Sequence, residues 1–456
     1  MAELTHWPWR EWAQRTPFAV ALNSDGRSWC WKYLHQQISA LAAGFIQQGV
    51  AEGRGVVLRS KNSLDALLAY LALIQIGARL LPLNPQLPLS LCSELLPRLD
   101  IDFILDFGDL PLALPLPRLR LRHDYRTQEQ NWRPQRLATL TLTSGSSGMP
   151  KAAAHSVAAH IASAQGVLGL IPFMPADRWL LSLPLFHVSG QGIIWRWLTA
   201  GAQLRVEEDL PLAEALQGCT HASLVPTQLW RLLNQQQLPA SLQDVLLGGA
   251  QIPLALTEQA ERAGVRCWCG YGMTETASTV TAKRADASDT VGQPLPQREV
   301  QLVDNEILIR AESLAAGYWS QGQLTPLVDA EGWFHTRDRG EWQGDELSIA
   351  GRIDNLFFSG GEGIQPEDIE RVLAMHPQIS RAFVLPIDDV EFGQRPVALV
   401  EFSAAVQFEA LSHWLGDKLA RFQLPVRYFH LPKDLAQGGI KISRQQLKQW
   451  LETQGI

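Results

Sequence analysis

Positive charge is in short supply in this chain. Its 456 residues carry 39 Lys and Arg against 46 Asp and Glu, a net charge of −7. That balance removes any broad attraction to nucleic acid or to an anionic membrane surface. An anionic ligand must therefore be held by donors placed locally. Cysteine is scarce too. Cys30, Cys92, Cys219, Cys267 and Cys269 are odd in number and scattered, which argues against a disulfide framework and for reduced thiols in a cytoplasmic protein. Cys267 and Cys269 bracket Trp268 in a spacing unlike a zinc knuckle, so they read as small core residues. Long apolar runs are missing. The most apolar stretch, 66–83, is broken by Gln75, Gly77, Arg79 and Pro82, and no membrane span is expected. No basic region precedes an apolar run after Met1, so no secretory signal is expected. No internal repeat is present.

What remains is ordinary globular material, 46% hydrophobic and 19% charged, long enough for about three domains or subdomains. Strand-like runs alternate with helical patterns, which predicts α/β layers. Apolar residues recur at helical spacing over 35–48, ending at Gly49, and over 62–76, with Asn62 as the expected cap. Strands are expected at 56–58, 101–105, 137–142, 179–183, 221–225, 245–247 and 265–269, and helices at 192–198, 226–234 and 253–263. After Gly292 the pattern changes: 300–310 and 332–347 read as short strands and turns of a smaller β-rich unit. A boundary is expected at Gly351-Arg352-Ile353-Asp354. Beyond it the order is helix, strand, strand, helix, strand and final helix. Pro366-Glu367-Asp368 opens the first of these helices, and Ser443 to Gln446 matches a capping box for the last. The predicted fold class is thus α/β: a large N-terminal multi-subdomain α/β region, 1–352, with a small β-rich unit, plus a small C-terminal α+β domain, 353–456.

The segment Thr143-Ser144-Gly145-Ser146-Ser147-Gly148-Met149-Pro150-Lys151 packs four hydroxyls, two glycines and one lysine into nine residues. It cannot build a core. Glycines let the backbone turn sharply and approach a ligand, and hydroxyls, free amides and a lysine are what a polyphosphate needs around it. A Walker A loop is excluded, because its second glycine, counted from Gly145, falls at Pro150. The dinucleotide pattern G-x-G-x-x-G is absent as well. A flexible Ser/Gly linker is the competing reading of the segment alone.

This loop resembles the phosphate loop of the adenylate-forming superfamily, which holds acyl-CoA synthetases, luciferases and peptide-synthetase adenylation domains. Seven further segments are similar to that family's motifs, in its order, Gly351-Arg352-Ile353-Asp354 at its hinge among them. Leu183-Pro184-Leu185-Phe186-His187 resembles the segment that closes over the acyl pocket. Gly248-Gly249-Ala250-Gln251 resembles the turn along the adenine and acyl groups. Gly270-Tyr271-Gly272-Met273-Thr274-Glu275-Thr276 carries the Tyr-Gly-x-Thr-Glu signature. Asp338, after Trp333-Phe334-His335-Thr336-Arg337, sits at the ribose-binding acid. Phe358-Ser359-Gly360-Gly361-Glu362 follows the hinge segment and resembles the thiol-tunnel loop. The stretch from Lys433 to Lys441 and Arg444 resembles the terminal lysine segment, although Ile440 stands where the usual form has glycine directly before lysine.

The resemblance implies ATP, Mg²⁺ and coenzyme A as ligands and a C-terminal domain that is mobile about Asp354. It implies Lys441 as the adenylating lysine, with Lys433 as a rival, and Glu275 as the Mg²⁺ ligand. Thr274, Thr143 and Ser144 would donate to the phosphates, and Lys151 would face the leaving pair or make a loop ion pair. Asp338 and Arg352 would hold the ribose, and His187 would gate the acyl group or simply pack. Ser359, Gly360 and Gly361 would line the thiol path. Ser189, Gly190, Gly270 and Thr276 would line the acid.

The length and the wording of 189–197 are most like the branch of the family that ligates 2-succinylbenzoate for menaquinone biosynthesis. Arg196, between Trp195 and Trp197 and at helical spacing from Ser189 and Gly192, would anchor a second carboxylate on an aromatic acid; an outward-facing arginine is the alternative. The expected partner is a small-molecule carboxylic acid, with no nucleic acid and no membrane span; a homo-oligomer is left open. Another aryl- or acyl-CoA ligase and a non-catalytic ATP-binding protein are the competing functions, and a peptide-synthetase module is disfavoured because no carrier domain follows Leu451. Lys441→Ala should abolish acyl-adenylate formation yet spare thioester formation from supplied adenylate. Single-turnover assays of each half-reaction check this, and equal loss of both would refute the role.

Overall fold

The computed structural model describes residues 4–109, 111–112, 114–126, 131–143, 149–249, 252–360, 362–403, 408–416, 418–437 and 442–455. Four sheets organise it, and all of the expected α/β, β-rich and α+β parts are present. A seven-stranded sheet runs in the order Gln323–Pro326, Gly317–Ser320, Lys151–Ser156, Leu137–Thr143, Arg79–Leu83, Gly55–Arg59, Ile101–Asp106. Gly55–Arg59 and Arg79–Leu83 pair in parallel and are buried at every position, which explains their mostly apolar wording, with an arginine at one end of each. A nine-stranded sheet has parallel strands Arg178–Leu180, His221–Leu224, Asp244–Leu247 and Arg266–Met273 towards one side, closed by antiparallel Ser278–Arg284. Helices Trp31–Gln47, Leu64–Ile76, Val157–Leu170 and Val188–Ala200 join residues of both sheets in one apolar cluster.

Leu64–Ile76 is apolar all round because it is buried all round, with only Leu64 and Asp65 reaching the margin. Its cap is not Asn62 as the sequence led one to expect. Ser63 Oγ accepts the Ala66 amide at 3.1 Å, and Gly77 ends the helix at φ 90°. Asn62 has a different task. Its amide donates to the Leu181 and Leu183 carbonyls at 3.0 and 2.9 Å, and its carbonyl oxygen accepts the Leu185 amide at 2.9 Å. Among the described residues no helix is long and apolar enough to cross a membrane.

The β-rich unit is a four-stranded antiparallel sheet, Arg298–Val303, Glu306–Ala311, Phe334–Gln343 and Glu346–Arg352. Asp304 and Asn305 make its first hairpin, both at positive φ, the geometry that a two-residue turn between twisted strands requires. After the short turn Ile353–Asn355, strands Phe357–Ser359 and Glu362–Ile364 form a hairpin that sequence reading passed over. The order of elements from Pro366–Ala374 to Arg444–Thr453 is otherwise the one anticipated, with Lys433–Gln437 added. Ser443 precedes the last helix, but its side chain makes no capping bond, so the capping box does not form.

Two histidines lie in the interior beside the first sheet. His160 Nε2 meets Thr139 Oγ1 at 2.8 Å, and its ring stacks on Trp195 at 5.4 Å and lies tilted against His155 at 5.2 Å. Burial, then the neighbouring His155, holds the His160 pKa well below 6.5. Below pH 6.5 the unfolded chain therefore takes up a proton that the folded one refuses. Folding stability should fall as the pH drops under 6.5, by about 1.4 kcal/mol per unit from this group. Urea unfolding between pH 7 and 5 should show a shallower pH slope for His160→Gln than for the parent; an identical slope would exclude this source.

Candidate active site

The reversal between strands Arg266–Met273 and Ser278–Arg284 sits where several elements meet. A side chain at Gly272 would place its Cβ 1.7 Å from the Ser278 carbonyl oxygen, so only glycine lets the strands approach there. Thr274–Thr276 forms a short 3₁₀ turn, and Ala277 and Ser278 continue it at φ 52° and 110°. The Thr276 hydroxyl is fully buried and lies 3.0 Å from both the Met273 and Ser278 carbonyls, so it is engaged by its own turn. Gly270 lies one step back on the strand, with Thr279 and Thr281 against its α-carbon.

Tyr271 and Glu275 leave this turn in two directions. The Tyr271 hydroxyl donates to Asp338 Oδ2 at 2.7 Å, and Arg352 meets Asp338 Oδ1 at 3.0 Å. Burial, then the Asp338 charge, raises the Tyr271 phenol well above 10, so it stays a donor. Asp338 and Arg352 face each other across an antiparallel pair. Arg352 also reaches Asp354 at 3.1 Å, which Arg337 holds from the other side at 3.0 Å. Burial pushes the Asp354 carboxyl up, but these two guanidinium bonds prevail and its pKa is lowered. Glu275 is buried, and its Oε1 accepts the Tyr318 hydroxyl at 2.7 Å.

Across the turn lie the paired strands Leu137–Thr143 and Lys151–Ser156. Thr143 pairs with Lys151, and the Lys151 ammonium stands 4.9 Å from the Tyr318 ring centre. Ser144, Gly145, Ser146, Ser147 and Gly148 lie outside the described residues, as do Ala250, Gln251, Gly361 and Lys441. Gly249 follows strand Asp244–Leu247 at φ 83°. The ends of these parallel strands are where ligands of open α/β sheets collect.

Helix Val188–Ala200 brings the acyl-side residues. His187 occupies its N-cap with its ring 4.8 Å from Phe186, and Asn62 fixes the preceding segment. Ser189 lies in the helix's first turn. Gly190 packs so tightly that a Cβ would stand 2.1 Å from the Pro184 oxygen. Arg196 is not outward-facing: it is 2% exposed. It donates to Ser223 Oγ at 3.2 Å, lies 4.7 Å from the Trp179 ring centre, and leaves its Nε without a partner. Burial alone pulls its pKa down to about 9, and no carboxylate pairs with it among the described residues. Gly192 packs beside it. A Cβ there would stand 3.4 Å from Ser278 Oγ and 3.6 Å from the Arg196 guanidinium.

In the C-terminal part, Ser359 is buried with its hydroxyl unpartnered, and Gly360 turns at φ 59° with its amide on the Phe392 carbonyl at 2.9 Å. Lys433 is exposed at the start of Lys433–Gln437. Sequence reading did not place Ser223, Trp179, Asn62 or Tyr318 at the site. Each joins the site through a fold contact, and none stands in a motif.

Among the described residues no group of three or more His, Cys, Asp or Glu side chains could hold a metal. One buried carboxylate, Glu275, with a single oxygen engaged, suits a cation that takes one or two carboxylates and completes its shell from phosphates and water.

The model of the AMP-binding enzyme family matches residues 9–319. A 2-succinylbenzoate–CoA ligase of Salmonella typhimurium is 57% identical over 447 residues, covering 98% of both chains. One of Escherichia coli is 56% identical over 448 residues, covering 98% of this chain and 99% of its own. Among solved structures, an arginine-to-lysine variant of E. coli MenE with bound OSB-AMS superposes with a TM-score of 0.94 at 55% identity, covering 100% of each chain.

Tyr271→Phe removes the donor from a buried carboxylate oxygen of Asp338. The expected loss is about 1–3 kcal/mol of folding stability, read from urea unfolding at neutral pH; an unchanged midpoint would mean that water replaces the hydroxyl freely.

Proposed function

The chain belongs to the AMP-binding enzyme family, and from that premise we propose that it ligates 2-succinylbenzoate to coenzyme A with ATP, releasing AMP and pyrophosphate. The observation that carries the choice of acid is Arg196, a buried guanidinium whose Nε has no partner and with which no carboxylate pairs among the described residues. An uncompensated buried cation is costly, and a ligand carboxylate relieves it. 2-Succinylbenzoate offers one carboxylate on its ring for Arg196 and one on its aliphatic arm for the nucleotide.

In the first step an oxygen of the aliphatic carboxylate attacks the α-phosphorus of ATP. The bond from that phosphorus to the bridging oxygen breaks, and pyrophosphate leaves with the bonding pair. Two anions are brought together, so the site must quench charge where it develops. Thr274, Thr143 and Ser144 donate to the phosphates, Lys151 faces the leaving pair, and Lys441 meets the carboxylate and α-phosphate oxygens. Glu275 holds Mg²⁺, which when bound neutralises phosphate charge. Asp338 and Arg352 hold the ribose, and Gly249, Ala250 and Gln251 lie along the adenine. His187, held at the helix N-cap, shields the acyl group from water.

In the second step the sulfur of coenzyme A, having lost its proton, attacks the acyl carbonyl. The bond to the phosphate oxygen breaks and AMP leaves. We assign residues 1–352 to nucleotide and acid binding and 353–456 to a domain that turns about Asp354, exchanging Lys441 for the Ser359-Gly360-Gly361 loop. The exposed Asp354–Arg337 and Asp354–Arg352 pairs at this point are individually weak, so a hinge there opens at low cost. All five cysteines are free thiols, and we place the enzyme in the cytoplasm.

A panel of carboxylic acids scored for ATP- and coenzyme A-dependent thioester tests the reading, with 2-succinylbenzoate expected to lead. Arg196→Ala should raise the KM for 2-succinylbenzoate roughly 30- to 150-fold, as for loss of a charge-assisted bond. The KM for an analogue lacking the ring carboxyl should change little. Parallel changes would remove the anchor, and pyrophosphate release indifferent to added acid would remove the ligase.

A further inference from the structure

Tyr318 stands between the two polar arms of the site, and no step above uses it. Strand Gly317–Ser320 pairs antiparallel with Lys151–Ser156, which sets Tyr318 opposite Ala153. A Cβ on Gly317 would stand 2.1 Å from the Thr325 carbonyl oxygen, so the strands of this edge close tightly over a bare backbone. Trp319 is spent on the other face. It lies 4.1 Å from the Arg79 guanidinium and donates to Asp100 Oδ2 at 3.0 Å. Strand alternation then turns Tyr318 inward. There its hydroxyl donates to Glu275 Oε1 at 2.7 Å while the Lys151 ammonium rests 4.9 Å from its ring centre. The same segment grips Glu275 a second time, because the Ala315 amide donates to the Glu275 carbonyl at 2.8 Å.

We propose that Tyr318 is a positioning residue that aims two groups at once: the Glu275 carboxylate towards the divalent cation and the Lys151 ammonium towards the departing phosphates. This rests on the roles given above to Glu275 and Lys151. A carboxylate with one oxygen fixed by a hydrogen bond presents the other in a set direction, and such outer partners of a metal ligand are worth 10- to 100-fold in affinity or activity. A lysine stem has four rotors, and an aromatic face under its ammonium restricts them.

Tyr318→Phe separates the two tasks, since it keeps the ring and deletes the hydroxyl. Tyr318→Leu deletes both, and Glu275→Gln serves as the reference. ATP binding is followed by calorimetry while Mg²⁺ is titrated, with no acid present, and pyrophosphate release is measured alongside. Folding of each variant is checked by circular dichroism. Tyr318→Phe should raise the half-saturating Mg²⁺ about tenfold and leave the KM for the acid unchanged. Tyr318→Leu should add a further slowing of adenylation that Phe does not show. If Glu275→Gln raises the Mg²⁺ requirement and Tyr318→Phe does not, the positioning role is overturned while the metal site stands. If neither variant changes it, Glu275 does not take the metal, and both readings fall together. A uniform loss in every constant, tracking a loss of folding, would leave Tyr318 a packing residue and overturn the proposal.

Discussion

The tight reversal from Gly272 to Ser278 is the constraint on which the remainder hangs. Four other parts of the molecule lock onto it. The seven-stranded sheet reaches it through Tyr318 and Glu275, and the four-stranded sheet through Asp338 and Tyr271. Helix Val157–Leu170 reaches it through Ser163, whose hydroxyl donates to the Ala277 carbonyl at 2.6 Å. Helix Val188–Ala200 reaches it through Gly192, which lies against Ser278. Because hydrogen bonds and close packing from four directions hold it, the turn has little freedom to relax. Groups from distant parts of the chain are thereby held in one place before any ligand arrives, which is the condition for electrostatic stabilisation at low reorganisation cost.

Charge is managed by the same economy of donors. Among the described residues Arg298 and Arg196 are both buried without a paired carboxylate, and their surroundings differ. Arg298 points its guanidinium at the carbonyls of Thr279, Pro296, Ala162 and Ser163, a saturated set that ties sheet to helix. Arg196 has one hydroxyl and an aromatic face, and its Nε has nothing. Both lose basicity through burial, to about 10 and about 9. Of the two, only the second has a donor to spare. In a chain of net negative charge such local cations are what draws an anionic substrate inward.

Much of the fold could be read from the chain, and the departures share a cause. Parallel strands such as Gly55–Arg59 announced themselves by short apolar runs, here 56–58, and the C-terminal order of elements by its periodicity. Asn62 and Ser63 are both good capping residues, so local chemistry could not choose between them. The choice fell to Ser63 because Asn62 is drawn away by three backbone groups of 181–185. Ser443 matched a capping box in wording, yet its side chain makes no capping bond, because spacing states an opportunity and not a conformation. Arg196 at helical spacing looked equally fit for solvent or interior until the Trp179 and Ser223 strands were laid beside it.

The sequence by itself determined the chemistry on offer: which segments turn, which donate, which carry carboxylate or ammonium, and in what order. Order along the chain is enough for that, because turn geometry, strand pattern and hydrogen-bonding capacity are local properties. Only the tertiary structure decided which of these groups share a space. Tyr318 lies 43 residues from Glu275, and Asp338 lies 67 from Tyr271. Their meetings come from the packing of whole sheets against one turn, and no local property of the chain encodes that packing.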